Sequence, residues 1–462
     1  MQHIDLLHGR ILPSLAGLAM PIMATSLIQT AYNLTDMAWI GFIGSPAVTA
    51  VGTAGMYIWL SGGIVTLARM GAQIKTAQSV GQQKLLEAAE YAGCGIQLTL
   101  LLAVVFGLLT NLFAEPLIGF FGLSSPQIVN DSVIYLRLAC GLIVFSFLNQ
   151  TLTGLFTAIG DSKTPFLANS IGLIMNMVLD PVLIFGWGPL PRMEVAGAAI
   201  ATVTAQFIVT AVMVWRAFHD PLLFDKVRIW KIKKRSYYTG ILRLGFPSSA
   251  QNILYSSISL VLTRLVASWG DTSIAIQRVG GQVEGISWST AEGFGAAMNA
   301  FIGQNYGARQ YDRMKKSYKT AAVIMFIWGI LTTAFLVFGA EPLFRLFIRE
   351  AEIVPAGVRY LMILGFAQMF MCEEFMTIGA LQGMGETMSA SVISIVLTAA
   401  RIPLAMVLSS TELGLDGIWW ALTASSMAKG IVFVGYYVRT LKTLPASDYR
   451  GKGAMYETGS NE

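Results

Sequence analysis

The sequence predicts an all-α polytopic membrane protein, with twelve transmembrane helices in two six-helix lobes, and three observations predict it. Hydrophobic residues make up 55% of the 462-residue chain and charged residues only 12%, with a mean hydropathy of +0.62, whereas about a quarter of the residues in a soluble domain are charged. Apolar runs of the roughly 20 residues needed to cross a bilayer recur along the whole length. The two halves also repeat: one shift lays Pro21 on Pro247, Gly44 on Gly270, AQSVG at 77–81 on GQNYG at 303–307, and AEPL at 114–117 on AEPL at 340–343. With small gaps Gly160-Asp161 meets Gly385-Glu386, Pro181 meets Pro403, and VAGAAIAT meets LDGIWWAL.

In order, the apolar runs place spans near 14–40, 47–68, 88–113, 131–156, 165–186, 196–216, 241–268, 274–302, 320–340, 357–383, 389–409 and 417–438. The first ten residues, MQHIDLLHGR, are polar and lead straight into span one, without the pattern of a cleavable signal. Most of the 31 Lys and Arg residues fall in the termini and in the loops after even-numbered spans, so both ends are expected in the cytoplasm. Residues 1–218 then form the first lobe, 219–240 a basic cytoplasmic linker, 241–440 the second lobe, and 441–462 a tail expected to be disordered. Each half holds an even number of spans, so the copies enter the membrane in the same direction as parallel repeats, with a substrate path between them. The linker, rich in Lys and Arg, reads as a topology signal at the lipid headgroups rather than a nucleic-acid patch, and no nucleic-acid partner is expected.

Several function classes are disfavoured. No GxxxxGK[ST] loop is present, which argues against direct ATP drive. Cys94, Cys140 and Cys372 lie in apolar runs without CxxC or Cys/His spacing, so neither a disulfide framework nor a metal centre is indicated. His3, His8 and His219 all fall outside the spans, leaving no histidine for an intramembrane enzyme. No cofactor is expected.

Span one carries Asp36, and a carboxylate at membrane depth is costly and ordinarily faces an internal cavity. Gln29, Tyr32, Asn33 and Asp36 stand at i, i+3, i+4 and i+7, one helical face. Pro21 removes the hydrogen bond to the Gly17 carbonyl and lets the helix bend. In span five Asn176 and Asp180 are four residues apart and share a face, and span five runs in the same direction as span one, which brings Asp180 to the depth of Asp36. Spans four and six run back inward and place Tyr135 and Thr202 at that level. Two carboxylates in one low-dielectric pocket disfavour each other's charge, so one can hold a proton near neutral pH and release it when the pocket is wetted. The same oxygen-rich set of carboxylates, amide and hydroxyls can bind sodium, so the coupling ion stays open between H⁺ and Na⁺.

These residues resemble the MATE (multidrug and toxic compound extrusion) family, and more narrowly its DinF-type branch, over essentially the whole chain. The resemblance is carried by Pro21 with NLTDMAWIG at 33–41, by the AQSVG and GQNYG loops, by NMVLDPVLIFG at 176–186 and by AGAAIAT at 196–202. It implies a cation-coupled efflux antiporter of two six-helix lobes arranged as a V. By the same resemblance Asp36, Asn176, Asp180, Thr202 and Tyr135 are cation-coupling positions and Pro21 is the bending proline of helix one. Position 255, where another bacterial branch of the family has an acid, is Tyr255.

The second lobe carries Glu292, Glu373, Glu374, Arg401 and Lys429 near mid-depth of spans eight, ten, eleven and twelve, with Glu284 higher and Arg264 and Arg278 near the outer surface. This set is either an ion-pair network or, through Glu292, Glu373 and Arg401, a place for substrate or a second ion. The 22 Met and 11% aromatic residues suit a cavity that repacks around varied ligands. The expected protein is a monomeric, multi-pass exporter of amphipathic, often cationic, organic compounds in a bacterial cytoplasmic membrane. The alternative is a flippase for a lipid-linked precursor.

Overall fold

In the computed structural model the described residues are 3–123, 125–187, 191–345, 350 and 352–445, and no strand occurs among them. The first half runs through α1 (Ile11–Gly41), α2 (Ser45–Gly81), α3 (Leu85–Leu112), a short α4 (Ala114–Gly119), α5 (Pro126–Gly141), α6 (Val144–Ala158), α7 (Lys163–Phe185) and α8 (Glu194–Phe218). The second half repeats the series with α9 (Arg235–Ala267), α10 (Asp271–Gly307), α11 (Tyr311–Phe338), a short α12 (Ala340–Arg345), α13 (Val354–Gly365), α14 (Gln368–Met384), α15 (Thr387–Ala399), α16 (Arg401–Ser409) and α17 (Leu415–Thr443).

The repeat seen in the sequence is a repeat of backbone. Helices α2 and α10 are both 37 residues long, and each follows a glycine at positive φ, Gly44 at 133° and Gly270 at 101°. Helices α3 and α11 are both 28 residues long, and the turns before them hold Gln83 and Arg309 in the left-handed region at 58° and 57°. The two AEPL segments form α4 and α12. Spans four and ten are each broken once, with bends of 43° between α5 and α6 and 46° between α13 and α14.

Of the twelve expected spans, ten are long and apolar enough to cross a membrane, counting each bent pair as one. The other two, α9 and α10, are 33 and 37 residues long but too polar, because one face of each lines a cavity in the second lobe. Arg264 and Arg278 are exposed, near the ends of α9 and α10 joined by the turn at Gly270. The linker is shorter than expected, since α9 already begins at Arg235. It is also tethered: Lys233 Nζ pairs with Glu90 at 2.8 Å, and the Gln97 amide donates to the carbonyls of Ile229 and Lys231. Trp230 in this linker is 99% exposed, which suits an anchor at the membrane interface. Helix α17 continues to Thr443, so the start of the expected tail is helical, and residues 446–462 lie outside the described residues.

The lobes are tightly packed at the end that carries the termini and the linker, and α1 continues the contact to mid-helix, where it meets α10. A Cβ on Gly71 of α2 would collide with the Ile241 carbonyl oxygen of α9, and one on Gly245 of α9 with that of Leu67 of α2. The Gln304 amide donates to the Ala158 carbonyl at 2.7 Å and the Gln78 amide to that of Gly383 at 2.9 Å. An N-terminal strap crosses the same seam. On the first lobe the Ile4 N–H bonds the Gly160 carbonyl and His3 Nε2 lies 2.9 Å from Asp220, while on the second Asn305 and Arg313 donate to the Leu6 carbonyl. Burial alone would push the Asp220 carboxyl up, but His3 and the N–H groups of Leu223 and Phe224 outweigh it and hold the group below its usual range. A depressed carboxyl stabilises above its unfolded value and stops doing so as pH falls through its folded one, so this anchor holds at neutral pH and releases only in acid.

Between the lobes lies a cleft lined by Trp59, Gly63, Arg69, Ile253, Tyr255, Trp288 and Glu292. A valine at Gly71 is expected to hold the closed end apart. Cysteine labelling checks this: Ala77, fully buried against Gly303 of the other lobe, should become reactive as Ala77→Cys only in the Gly71→Val background.

Candidate functional site

In the first lobe four helices converge on one cluster. Helix α7 contributes Asn176 and Asp180, both fully buried, and the Asn176 amide donates to Asp180 Oδ1 at 3.1 Å, the bond their i, i+4 spacing allows. Helix α1 brings Asp36 and Tyr32, α5 brings Tyr135, and α8 brings Thr202. The charges of Asp36 and Asp180 are close enough to act on each other and on the hydroxyls of Tyr32 and Tyr135. Tyr32 faces Thr202 without closing a hydrogen bond. All five residues singled out from the sequence are therefore in one place, and Tyr32 joins them.

The cluster is under-bonded. Asp36 Oδ1, Asp180 Oδ2, Asn176 Oδ1, Thr202 Oγ1 and the Tyr32 hydroxyl are all buried and without a hydrogen-bond partner. Buried polar atoms are normally paired, so five oxygen atoms left open around two carboxylates form a donor set suited to a proton or a hard cation. Asn33, on the same stretch of α1, is exposed and stays outside the cluster.

Pro21 lies inside α1, which continues as one helix from Ile11 to Gly41. The Gly17 carbonyl that it frees accepts from Ser162 Oγ at 3.4 Å, while the hydroxyls of Thr25 and Ser26 bond the carbonyls of Pro21 and Ile22. Hydroxyls bonded back in this way favour bending. The same stretch touches the second lobe, with Met23 against Gly293 and Thr30 Oγ1 3.2 Å from Ser289 Oγ of α10. One helix thus carries the acid, the proline and a contact between lobes.

The second lobe encloses a cavity of about 300 Å³. Glu284, Glu292, Glu374, Arg401 and Lys429 line it. The Glu374 carboxylate and Lys429 ammonium form a buried ion pair at 2.7 Å. Arg401 instead bonds the hydroxyls of Ser425 and Ser426, and Glu284 accepts from the Gln368 amide at 3.1 Å. One expectation is corrected here, because Glu373 does not line this cavity. On α14 the cavity face is Met371, Glu374, Phe375 and Ile378, which leaves Glu373 about 100° around the helix, toward Tyr318 of α11.

Arg69 is the residue that the span estimate missed. Counting 20 residues ended span two at 68 and put Arg69 in a loop, but α2 runs on to Gly81 and carries Arg69 into the bundle, where its charge faces Glu292 across the lobes without forming an ion pair. The signal was present, since no proline interrupts ARMGAQIKTAQSVG.

The MatE family profile matches residues 21–182 and 247–407, one stretch in each half. The chain is 25% identical to the "Probable multidrug resistance protein NorM" of Thermotoga maritima, over 89% of this chain and 88% of that protein. It is 27% identical to the "Probable multidrug resistance protein YoeA" of Bacillus subtilis, over 92% and 93%, and 23% identical to the "FAD transporter" of Shewanella oneidensis, over 92% and 93%. A crystal structure of MATE in the bent conformation superposes with a TM-score of 0.88 at 23% identity, covering 96% of this chain and 98% of that one. A MOP superfamily transporter from Pyrococcus furiosus does so with 0.89 at 22% identity, covering 96% and 99%.

Proposed function

The chain belongs to the MatE family and is a multi-pass membrane protein of that fold, and we propose that it is a cation-coupled antiporter exporting amphipathic, often cationic, organic compounds by alternating access. The observation that carries this reading is the set of five unpartnered buried oxygens around Asp36 and Asp180, with Asp36 on a helix that also touches the other lobe. In this reading the basic end faces the cytoplasm of a bacterium, both termini lie there, the protein works as a monomer of the DinF-type branch, and the cleft described above opens outward.

A proton or Na⁺ entering from outside is held by Asp36 and Asp180, with Asn176, Thr202, Tyr32 and Tyr135 completing its surroundings. Neutralising charge in this pocket removes the repulsion between the two acids and lets α1 repack about Pro21. Because Thr30 and Met23 seat α1 against α10, that movement disturbs the seam between the lobes. Substrate leaves outward, the lobes rock, and the cavity opens to the cytoplasm, where the ion departs. A differential affinity of the ion for the two states, a few kcal/mol, is enough to shift the balance.

Transport in proteoliposomes tests this. A fluorescent cationic dye loaded inside should be driven across by an imposed pH gradient or by an imposed Na⁺ gradient, and the effective one names the coupling ion. Movement under neither gradient would remove the antiporter reading. The flippase alternative needs cations in the cavity for a phosphorylated lipid; Lys429 is neutralised by Glu374, which leaves Arg401 in the second-lobe cavity and Arg69 in the cleft, where it faces Glu292, in its favour.

A further inference from the structure

The second-lobe cavity holds charges of both signs that close no ion pair among the described residues. Glu374 and Lys429 satisfy each other. Arg401 does not have such a partner: its Nε donates to Ser425 Oγ at 3.1 Å and a terminal nitrogen to Ser426 Oγ at 2.9 Å, and among the described residues no carboxylate lies within ion-pair distance of it. Two serine hydroxyls hold the guanidinium in place without supplying charge, and most of its five N–H donors remain for a ligand.

The opposite sign stands further along the same cavity. Glu292 is exposed to it and makes no ion pair among the described residues, the charge of Arg69 facing it from the other lobe without closing one, and it lies about 12 Å along α10 from Glu284. Glu284 is the acid that senses Arg401, again without pairing. Between these ends the rings of Tyr255, Trp288 and Phe375 form a row, with centroids 6.5 and 6.1 Å apart, and Trp288 sits one turn from each of the two acids. Isolated charges inside a membrane are costly, and a row of rings is a surface for a flat apolar body.

Building on the antiporter reading, the geometry points to this cavity as a binding site for amphoteric aromatic molecules, with Arg401 receiving an anionic group and Glu292 a cationic one. A plain cation leaves Arg401 unanswered, and a plain anion leaves Glu292 so. The lobe thereby selects for molecules that carry both charges on one aromatic frame.

A matched pair of probes tests this: a zwitterionic rhodamine with a free carboxylate, and its methyl ester, a plain cation of nearly the same shape. Binding to the purified full-length protein is read by fluorescence anisotropy for wild type, Arg401→Gln, Arg401→Lys and Glu292→Gln. Wild type should prefer the zwitterion by about tenfold or more, the size of a charge-assisted contact. Arg401→Gln should erase that preference, Arg401→Lys should keep part of it, and Glu292→Gln should weaken both dyes. Equal binding of the two dyes to wild type, or a preference that survives Arg401→Gln, overturns the assignment. Gradient-driven efflux of the ester, followed in the same preparation, separates the two readings: if efflux persists while the preference is absent, the charge selectivity alone fails.

Discussion

Asp36→Asn should abolish gradient-driven efflux while the protein still binds dye. The substitution keeps the shape of the side chain and fixes its charge at zero, so the cluster can no longer distinguish an ion-loaded from an ion-free state. Transport under the effective gradient should fall roughly 100-fold, the upper end of typical coupling between two sites. Dye affinity should move by no more than about threefold, because the cavity proposed to bind the dye lies in the second lobe and is untouched. The proteoliposome assay and the anisotropy titration measure the two halves of this statement separately. An Asn variant that still couples would take the role away from Asp36.

The second large effect is on stability. The Glu374–Lys429 pair is closed at 2.7 Å, and both residues are at most 5% exposed. Lys429→Met leaves the Glu374 carboxylate buried with no cation, and breaking a buried pair from one side costs about 3–5 kcal/mol. The apparent unfolding midpoint of the purified protein in detergent should drop accordingly. The double variant Glu374→Gln, Lys429→Met should recover most of the loss, since it removes both charges together. If the single variant melts like wild type, the pair is not the dry contact that the structure shows.

The parts of this molecule legible in the sequence are those where chemistry stands out against an apolar background. Asp36 and Asp180 were conspicuous because a carboxylate in a bilayer-length run needs a reason, and the repeat was visible because glycines in special conformations, Gly44 and Gly270, tolerate little exchange. Helical phase was harder to read. With Glu373 and Glu374 adjacent, only the packing of α14 decides which of them enters the cavity, and it chose Glu374. Tyr32 was placed on the right face, yet its membership of the cluster depended on how close α8 approaches α1. Arg69 was lost because an average span length set the end of a helix that continues to Gly81. The breaks after Gly141 and Gly365 fall in runs whose mean hydropathy stays high across the bend, so hydropathy passes over them.

The central claim is that an ion and an organic compound cross in opposite directions by way of the first-lobe cluster. It is tested most directly with no ion gradient imposed at all. Liposomes loaded with dye are diluted into dye-free buffer, and the ion identified by the gradient assay is followed as it enters, with a pH indicator or a Na⁺-sensitive dye. Linkage between the two sites requires that dye leaving should pull the ion in through wild type and should not do so through Asp36→Asn. Dye efflux from wild type without any opposing ion movement would contradict the account.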